Sequence, residues 1–149
     1  MTHEEKALQA FTDGANCAQA VVLAYCDELG MDEKTAARLA SSFGGGIGRL
    51  REVCGAVSGM MMVYGLLRGY DDLKDPDVKK AHYANVQALA NRFKAENGSI
   101  ICRELLDLHK DEQTEPTPTP RDAKFFHSRP CMGFVQSAAR ILDEALKTE

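Results

Sequence analysis

The chain has 149 residues, 44% of them hydrophobic and 27% charged, a composition typical of one folded domain with a substantial core. Its 18 Lys and Arg against 22 Asp and Glu give a net charge of −4, which argues against a general nucleic-acid-binding surface, because such surfaces need clustered cations. A core of this size does not need disulfides, so the five cysteines point to metal binding or redox chemistry.

The amino-terminal segment and the hydropathy of the chain predict a soluble, cytoplasmic protein. The start is acidic at Glu4 and Glu5, and no apolar region of a secretory signal follows. The longest stretch without a charged residue, 53–67, has 15 residues. A bilayer span needs about 20. We therefore expect a buried core helix in this stretch and no membrane span.

Helical periodicity runs through most of the chain, and no segment shows the alternation of a strand bounded by hairpin turns. Capping residues and glycines bound the segments: Asp32 can begin one helix, Asp75 with Pro76 another, and Gly98 can end the latter. The predicted fold is all-α, a compact bundle of about six or seven helices. Their approximate ranges are 4–11, 15–29, 32–43, 51–69, 76–97, 99–108 and 130–146.

A proline-rich segment separates the last helix from the others. Prolines alternate with threonines over residues 116–120, and they enforce an extended backbone. Residues 114–129 are predicted to form an extended connector over the surface; a recognition peptide is the alternative. No repeat or second boundary divides the chain, so residues 1–149 are expected to form one helical domain.

Four of the five cysteines, Cys17, Cys54, Cys102 and Cys131, fall near predicted helix N-termini. Unpaired backbone N–H groups and the positive end of the helix dipole favour thiolates there, so these residues are expected to be reactive or to bind metal. Inert, buried cysteines are the alternative. Cys26 is predicted to lie well inside the helix 15–29, about 180° around it from Cys17.

The spacing of the cysteines excludes several known motifs. No C-x-x-C occurs, which excludes the thioredoxin motif and zinc-ribbon knuckles, and no C-x-x-C-H occurs, which excludes attachment of a c-type haem. The four helix-start cysteines are separated by 37, 48 and 29 residues, so they can meet only through tertiary packing. They would then form two dithiol pairs, or bind an iron–sulfur cluster or zinc.

A glycine-rich loop, residues 44–48, precedes Cys54. It contains G-x-G, but no strand precedes it and no Lys-Ser/Thr follows, so dinucleotide and phosphate-loop motifs are disfavoured. The loop could bind an anion through backbone N–H groups, with Arg49 and Arg51 adding positive charge beside Cys54, or it is a flexible connector. Small residues on one face of the following helix permit close approach of a second helix or a cofactor. The candidate cofactor-binding residues are Gly44, Gly45, Gly46, Gly48, Arg49, Gly55 and Gly59.

These motifs together resemble the C-GCAxxG-C-C family of redox-active domains over roughly residues 15 to 135. The matching segments are 16–21, 44–49 and 54–59 with Gly65, followed by single cysteines at 102 and 131. The order in the second motif is Cys-Gly-Ala, where the family label reads Gly-Cys-Ala. Cys26 matches no signature position. The resemblance implies a redox function through the other four cysteines and leaves the reaction open.

The leading hypothesis is a cytoplasmic redox protein that transfers electrons or exchanges thiols and disulfides through Cys17, Cys54, Cys102 and Cys131. Cys54 is the expected nucleophile because of its loop and arginines. The alternatives are a domain in which the same four cysteines ligate iron–sulfur or zinc, and a non-catalytic helical module that binds an anion or a partner. A redox partner or a small-molecule ligand is implied, and a homodimer is an option. The pairing of the cysteines and the question of enzymatic activity stay open.

Overall fold

The computed structural model describes residues 1–107, 114–128 and 130–148. This part of the chain is all-α, as predicted, and contains no strand. Its helices are α1 (His3–Thr12), α2 (Cys17–Ala24), α3 (Cys26–Leu29), α4 (Glu33–Ala40), α5 (Gly55–Arg68), α6 (Pro76–Asn97), α7 (Cys102–Leu106), α8 (Ala123–Ser128) and α9 (Cys131–Lys147). A short 3-10 turn, Ser41–Phe43, follows α4.

Local capping fixes several of these boundaries where the sequence places them. The Asn16 side chain accepts a hydrogen bond from the Gln19 N–H, and the Gln19 side chain accepts one from the Asn16 N–H, which forms a capping box for α2. Asp32 caps α4 and Asp75 caps α6. Gly98 ends α6 with a φ of 101°. The longest helix therefore has the predicted ends.

The predicted helix 15–29 is divided in two at Tyr25, which corrects the sequence-based boundary. Tyr25 has φ −111° and ψ 12°, outside the helical region, and α3 begins at the next residue. Its ring is fully buried, and its hydroxyl donates to the Ala139 carbonyl at 3.1 Å and to the Asp143 carboxylate at 2.5 Å. The break in the helix thus occurs at the residue whose side chain is hydrogen-bonded to α9.

The central helix also begins later than predicted, at Gly55, because residues 51–54 pair with residues 100–103. Val53 and Ile101 form an antiparallel bridge. The Cys54 N–H donates to the Ile100 carbonyl at 2.8 Å, and the Cys102 N–H donates to the Glu52 carbonyl at 2.6 Å. Because of this pairing, both helices begin later in the chain than predicted. The helix α5 begins directly after Cys54, and α7 begins at Cys102.

The predicted extended connector, 114–129, is shorter in the structure. Residues 114–122 are not helical, but Ala123–Ser128 form α8, and the Asp122 carboxylate accepts a hydrogen bond from the Phe125 N–H at 2.9 Å. An Asp at this point acts as a helix cap once the prolines have ended. Residues 108–113 and 129, which include the predicted end of α7 at Leu108, lie outside the described residues.

The short helix α2 lies at the centre of the fold and contacts α1, α4, α5 and α9. Two glycines of α5 make the α2–α5 contact close. A Cβ on Gly55 would lie 3.1 Å from the Ala18 nitrogen, and one on Gly59 would lie 2.8 Å from the Ala18 carbonyl oxygen. Helix packing therefore explains this pair of glycines. No helix in the described ranges has the length and apolarity needed to cross a membrane.

Candidate functional site

Each of the four cysteines singled out from the sequence stands at the start of a helix. Cys17 is the first residue of α2, Cys102 of α7 and Cys131 of α9, and Cys54 is the N-cap residue of α5. All four line one cavity of about 380 Å³. The helix-start positions are as predicted, and tertiary packing brings the four thiols together.

Three separate contacts produce this convergence. The glycine face of α5 brings Gly55 within close contact of Cys17, whose Cβ lies 3.1 Å from where a Gly55 Cβ would stand. The Val53–Ile101 bridge sets Cys54 near Cys102. The start of α9 places Cys131 against Cys17, and the two side chains share a hydrogen bond. The cluster therefore depends on long-range contacts throughout.

The four thiols of the cavity form a more buried and a more exposed pair. Cys54 and Cys102 are buried, with exposed fractions of 4% and 8%. Cys17 and Cys131 are half-buried. The Arg51 guanidinium, itself 4% exposed, donates to the Cys102 sulfur at 3.7 Å. The more exposed pair, Cys17 and Cys131, thus shares a hydrogen bond, and one thiol of the more buried pair, Cys102, is in contact with a cation.

The expectation that helix starts would lower the pKa of these thiols is wrong for two of them. Burial raises the pKa of Cys54 to about 12, although the N–H groups of Ala56 and Val57 oppose the shift. The hydrogen bond with Cys131, together with burial and the charges of the other three cysteines, raises the pKa of Cys17 well above its usual value. Desolvation and mutual repulsion outweigh the helix ends here.

The raised pKa of Cys54 predicts a loss of stability in alkali. Cys54 keeps its proton in the folded chain up to about pH 12, but in the unfolded chain it ionises near its ordinary value of 9.0. The contribution of the Cys54 thiol to the free energy of unfolding is therefore complete below pH 9 and is lost as the pH rises towards 12. Between pH 8.5 and 10.5 the free energy of unfolding should fall by ~2 kcal/mol on this account. Urea denaturation of the reduced protein measures it.

The Cys54→Ser variant is the matched control for this pH dependence. It removes the thiol and keeps its size, so the fall between pH 8.5 and 10.5 should be smaller by the same ~2 kcal/mol. Because Cys17 and Cys26 also have raised pKa values, part of the slope remains in the variant. Equal slopes in the two proteins would contradict the assignment to Cys54.

The glycine loop matches neither of the two alternatives left open by the sequence, an anion-binding loop or a flexible connector. The N–H groups of residues 47–52 donate to carbonyl oxygens of residues 42–47, so the loop closes on its own hydrogen bonds. Gly46 has φ 71°, and a Cβ there would lie 2.8 Å from the Cβ of Cys102. A Cβ on Gly44 would lie 2.4 Å from the Asn16 amide nitrogen. The loop therefore acts as a close-packed support for Cys17 and Cys102.

The two arginines that follow the loop each have a defined partner in the structure. Arg51 donates to Cys102. Arg49 turns to the connector, where its Nε donates to the Glu115 carbonyl at 2.8 Å and its NH1 to the Thr119 hydroxyl at 3.2 Å. The structure therefore gives the loop two roles: Arg51 contacts a thiol, and Arg49 fastens the proline-rich segment over the cavity.

Sequence reasoning missed Arg121, which fastens the other end of that segment. Its guanidinium donates to the Phe11 carbonyl at 2.8 Å and to the Ala15 carbonyl at 3.0 Å. It also lies over the Phe11 and Phe125 rings, 4.2 and 4.9 Å from their centroids. The only signal in the sequence was an arginine directly after the last proline of the connector. Further lining residues outside the prediction are Asn16, Ser41, Leu105, Leu106, Pro116, Pro118, Thr119 and Phe134.

Two residues of the sequence-based analysis lie away from the cavity. Gly59, expected as a possible cofactor contact, packs against Ala18 and Val21 and is not part of the cavity lining, which Gly55 and the loop glycines do join. Cys26 is the first residue of α3 and therefore is not well inside a helix. It is buried elsewhere, and its thiol donates to the Val22 carbonyl at 4.0 Å. Tertiary position, and not helix position, separates Cys26 from the other cysteines.

Four thiols are a suitable donor set for zinc or an iron–sulfur cluster. Within the described ranges, however, no three Cys, His, Asp or Glu side chains are arranged to hold a metal ion. All five cysteines are free thiols. The four thiols line one cavity, and the side chains of Cys17 and Cys131 share a hydrogen bond.

Helices that begin at cysteines around one cavity define a class of all-α protein with a thiol-lined site. A family model described as "Putative redox-active protein (C-GCAxxG-C-C)" matches residues 15–145. The chain therefore belongs to this family, as its motifs indicate. Comparisons with curated proteins and with solved structures found no match.

Proposed function

We propose that this chain is a thiol–disulfide redox protein and that Cys17 and Cys131 are its exchanging pair. The hydrogen bond between these two side chains carries the proposal, because sulfurs in contact are the ones that can form a disulfide with little backbone movement. They are also the more exposed pair, which favours them as the thiols that a substrate would reach.

The more buried cysteines of the cavity are less suited to pair with each other. Cys54 lies opposite Ile100 in the antiparallel bridge, so Cys102 is its diagonal neighbour. Diagonal neighbours in such pairing are roughly 7–8 Å apart, whereas a disulfide needs a Cα separation of about 4.4–6.8 Å. Cys54 and Cys102 are therefore expected to stay reduced when the more exposed pair is oxidised.

The electrostatics of the more exposed pair favour Cys131 as the nucleophile. The hydrogen bond with Cys131 raises the pKa of Cys17, so we assign the shared proton to Cys17 and propose Cys131 as the attacking sulfur. Once Cys131 becomes part of a mixed disulfide, its charge and its role as acceptor disappear, and Cys17 can ionise. Cys54, the nucleophile expected from the sequence, has a pKa of about 12 and is a thiol at neutral pH.

The test is a combined redox and metal measurement on protein purified without oxygen. After reduction and removal of the reductant, we expect a colourless protein with five thiols that takes up one equivalent of diamide, a neutral oxidant of dithiols. Peptide mapping by mass spectrometry should then identify a Cys17–Cys131 disulfide. A coloured protein with stoichiometric iron and sulfide, or an oxidised protein without this disulfide, would contradict the proposal and favour a metal-binding or a non-redox domain.

A further inference from the structure

The way the thiols are enclosed limits what can react with them. Four residues of the connector line the cavity with the cysteines, together with Phe11 near the end of α1: Pro116, Pro118, Thr119 and Arg121. Arg49 and Arg121 fasten this segment at both ends through the four hydrogen bonds described above. A disulfide on the surface of a folded protein would have to fit into this cavity, together with the chain around it, to reach the thiols that line it. A small molecule needs only the cavity, whose 380 Å³ fall at the lower end of the range for ligand sites.

Among the described residues that line the cavity, the charged side chains are arginines. They are Arg49, Arg51 and Arg121, and the described lining includes no Asp or Glu. The acceptors of Arg121 are carbonyl oxygens, which carry no net charge, so its positive charge remains in the wall. The remaining wall is largely apolar and aromatic, with Phe125 and Phe134 beside the thiols. A ligand that suits this wall has a hydrocarbon body and a negative charge.

We propose that the substrate of this site is a low-molecular-weight organic disulfide that carries carboxylate groups. The proposal rests on the proposed function, since it names the oxidant of the Cys17–Cys131 pair. The carboxylates would lie towards Arg121 and Arg51, and the hydrocarbon arms against the phenylalanines. Cationic side chains in a recessed cavity attract such an anion and raise its encounter rate by about 10–10³-fold.

The reaction balances in two exchange steps. The Cys131 thiolate attacks one sulfur of the substrate RSSR, which forms a mixed disulfide and releases one thiolate RS⁻ that takes a proton. Cys17, after losing its proton, attacks the Cys131 sulfur, forms the Cys17–Cys131 disulfide and releases the second RSH. Two protein thiols are thus oxidised, one disulfide is reduced to two thiols, and the reverse reaction returns the electrons.

The test compares three small disulfides of similar length that differ in charge: dithiodipropionate (anionic), hydroxyethyl disulfide (neutral) and cystamine (cationic). We expect dithiodipropionate to oxidise the reduced full-length protein at least about tenfold faster than cystamine, with hydroxyethyl disulfide between them. The rate of each disulfide with the protein is divided by its rate with a reference thiol, dithiothreitol, which corrects for the intrinsic reactivity of the disulfide. Insulin, as a protein disulfide, should be the slowest. Equal corrected rates for the three probes, or faster reaction with insulin, would overturn the inference.

Variants of Arg121 connect this ranking to the cavity. Arg121→Gln should remove most of the preference for dithiodipropionate over cystamine, whereas Arg121→Lys, which keeps the charge, should retain most of it. Arg38→Gln removes an exposed arginine of α4 outside the cavity and should leave the preference unchanged. Arg38→Gln could instead lower the preference as much as Arg121→Gln does. The preference for dithiodipropionate would then come from the net charge of the protein and not from the cavity.

The neutral oxidant separates failure of this inference from failure of the proposed function. If diamide forms the Cys17–Cys131 disulfide but the three probes show no charge preference, the redox pair stands and only the substrate class is wrong. If diamide forms no such disulfide, the redox function itself is wrong, whatever the probes do. Circular dichroism of each Arg121 variant, compared with the parent protein, verifies that a changed rate is not caused by unfolding.

Discussion

Cys17→Ser is expected to stop the exchange reaction halfway. Cys131 in this variant can still attack hydroxyethyl disulfide, but the thiol that shares a hydrogen bond with it, and that is proposed to release the second product, is missing. A mixed disulfide with mercaptoethanol should therefore accumulate on Cys131, and release of the second thiol should slow by about 100-fold or more, because the intramolecular attack is lost. Mass spectrometry of the intact protein detects the adduct, and peptide mapping places it.

Cys131→Ser should behave differently, because the attacking thiol itself is lost. We expect an adduct at Cys17 to form more slowly at pH 7, because burial and the charges of Cys54 and Cys102 still raise the pKa of that thiol when Cys131 is absent. Cys26→Ser is the matched control: its sulfur lies outside the cavity, so the parent reaction should be retained. The two variants are compared by the rate at which the adduct forms. If Cys17 in Cys131→Ser reacts as fast as Cys131 in Cys17→Ser does, the assigned order of attack is wrong.

Gly59→Ala is expected to lower the free energy of unfolding by about 1–3 kcal/mol, the usual cost of forcing extra volume into a packed interface. The added Cβ would lie 2.8 Å from the Ala18 carbonyl oxygen and 3.1 Å from the Val21 Cβ, and the backbone oxygen cannot move without shifting α2. Urea denaturation of the reduced protein, followed by circular dichroism, measures the change.

Gly65→Ala, on the same helix, provides the control for this substitution. Nothing lies within 4 Å of where its Cβ would stand, so the variant should gain up to about 1 kcal/mol from the higher helix propensity of Ala. The two identical substitutions are thus expected to have opposite signs. If both stabilised the protein, the close approach of α5 to α2 would not be what requires Gly59.

The sequence predicts features that short-range chemistry determines. Asp75 and Gly98 identify both ends of α6, since a side-chain cap and a left-handed glycine act within a few residues. The four helix-start cysteines follow from the same kind of reasoning. The break at Tyr25 could not be predicted, because its hydroxyl is bound by α9, far away in the chain. The late start of α5 likewise depends on a bridge to Ile101.

The electrostatics of the site were harder to predict than its members. A helix N-terminus near Cys54 favours a thiolate by an effect of its own first turn, which the sequence indicates. Desolvation acts against it and depends on how many distant residues cover the sulfur, which only the fold determines. Arg121 was missed for a related reason: its function comes from the carbonyls of Phe11 and Ala15, and no sequence motif identifies a carbonyl as an acceptor.

The exchanging pair joins the beginning of the chain to its end, since Cys17 starts α2 and Cys131 starts the last helix. A disulfide between them would close a loop of more than about 100 residues and restrict the unfolded ensemble, for which the chain-entropy relation gives ~4–5 kcal/mol. Oxidation and folding are then thermodynamically linked: the oxidised form resists unfolding more than the reduced form does. By the same cycle, the native fold makes this disulfide harder to reduce than it would be in the unfolded chain.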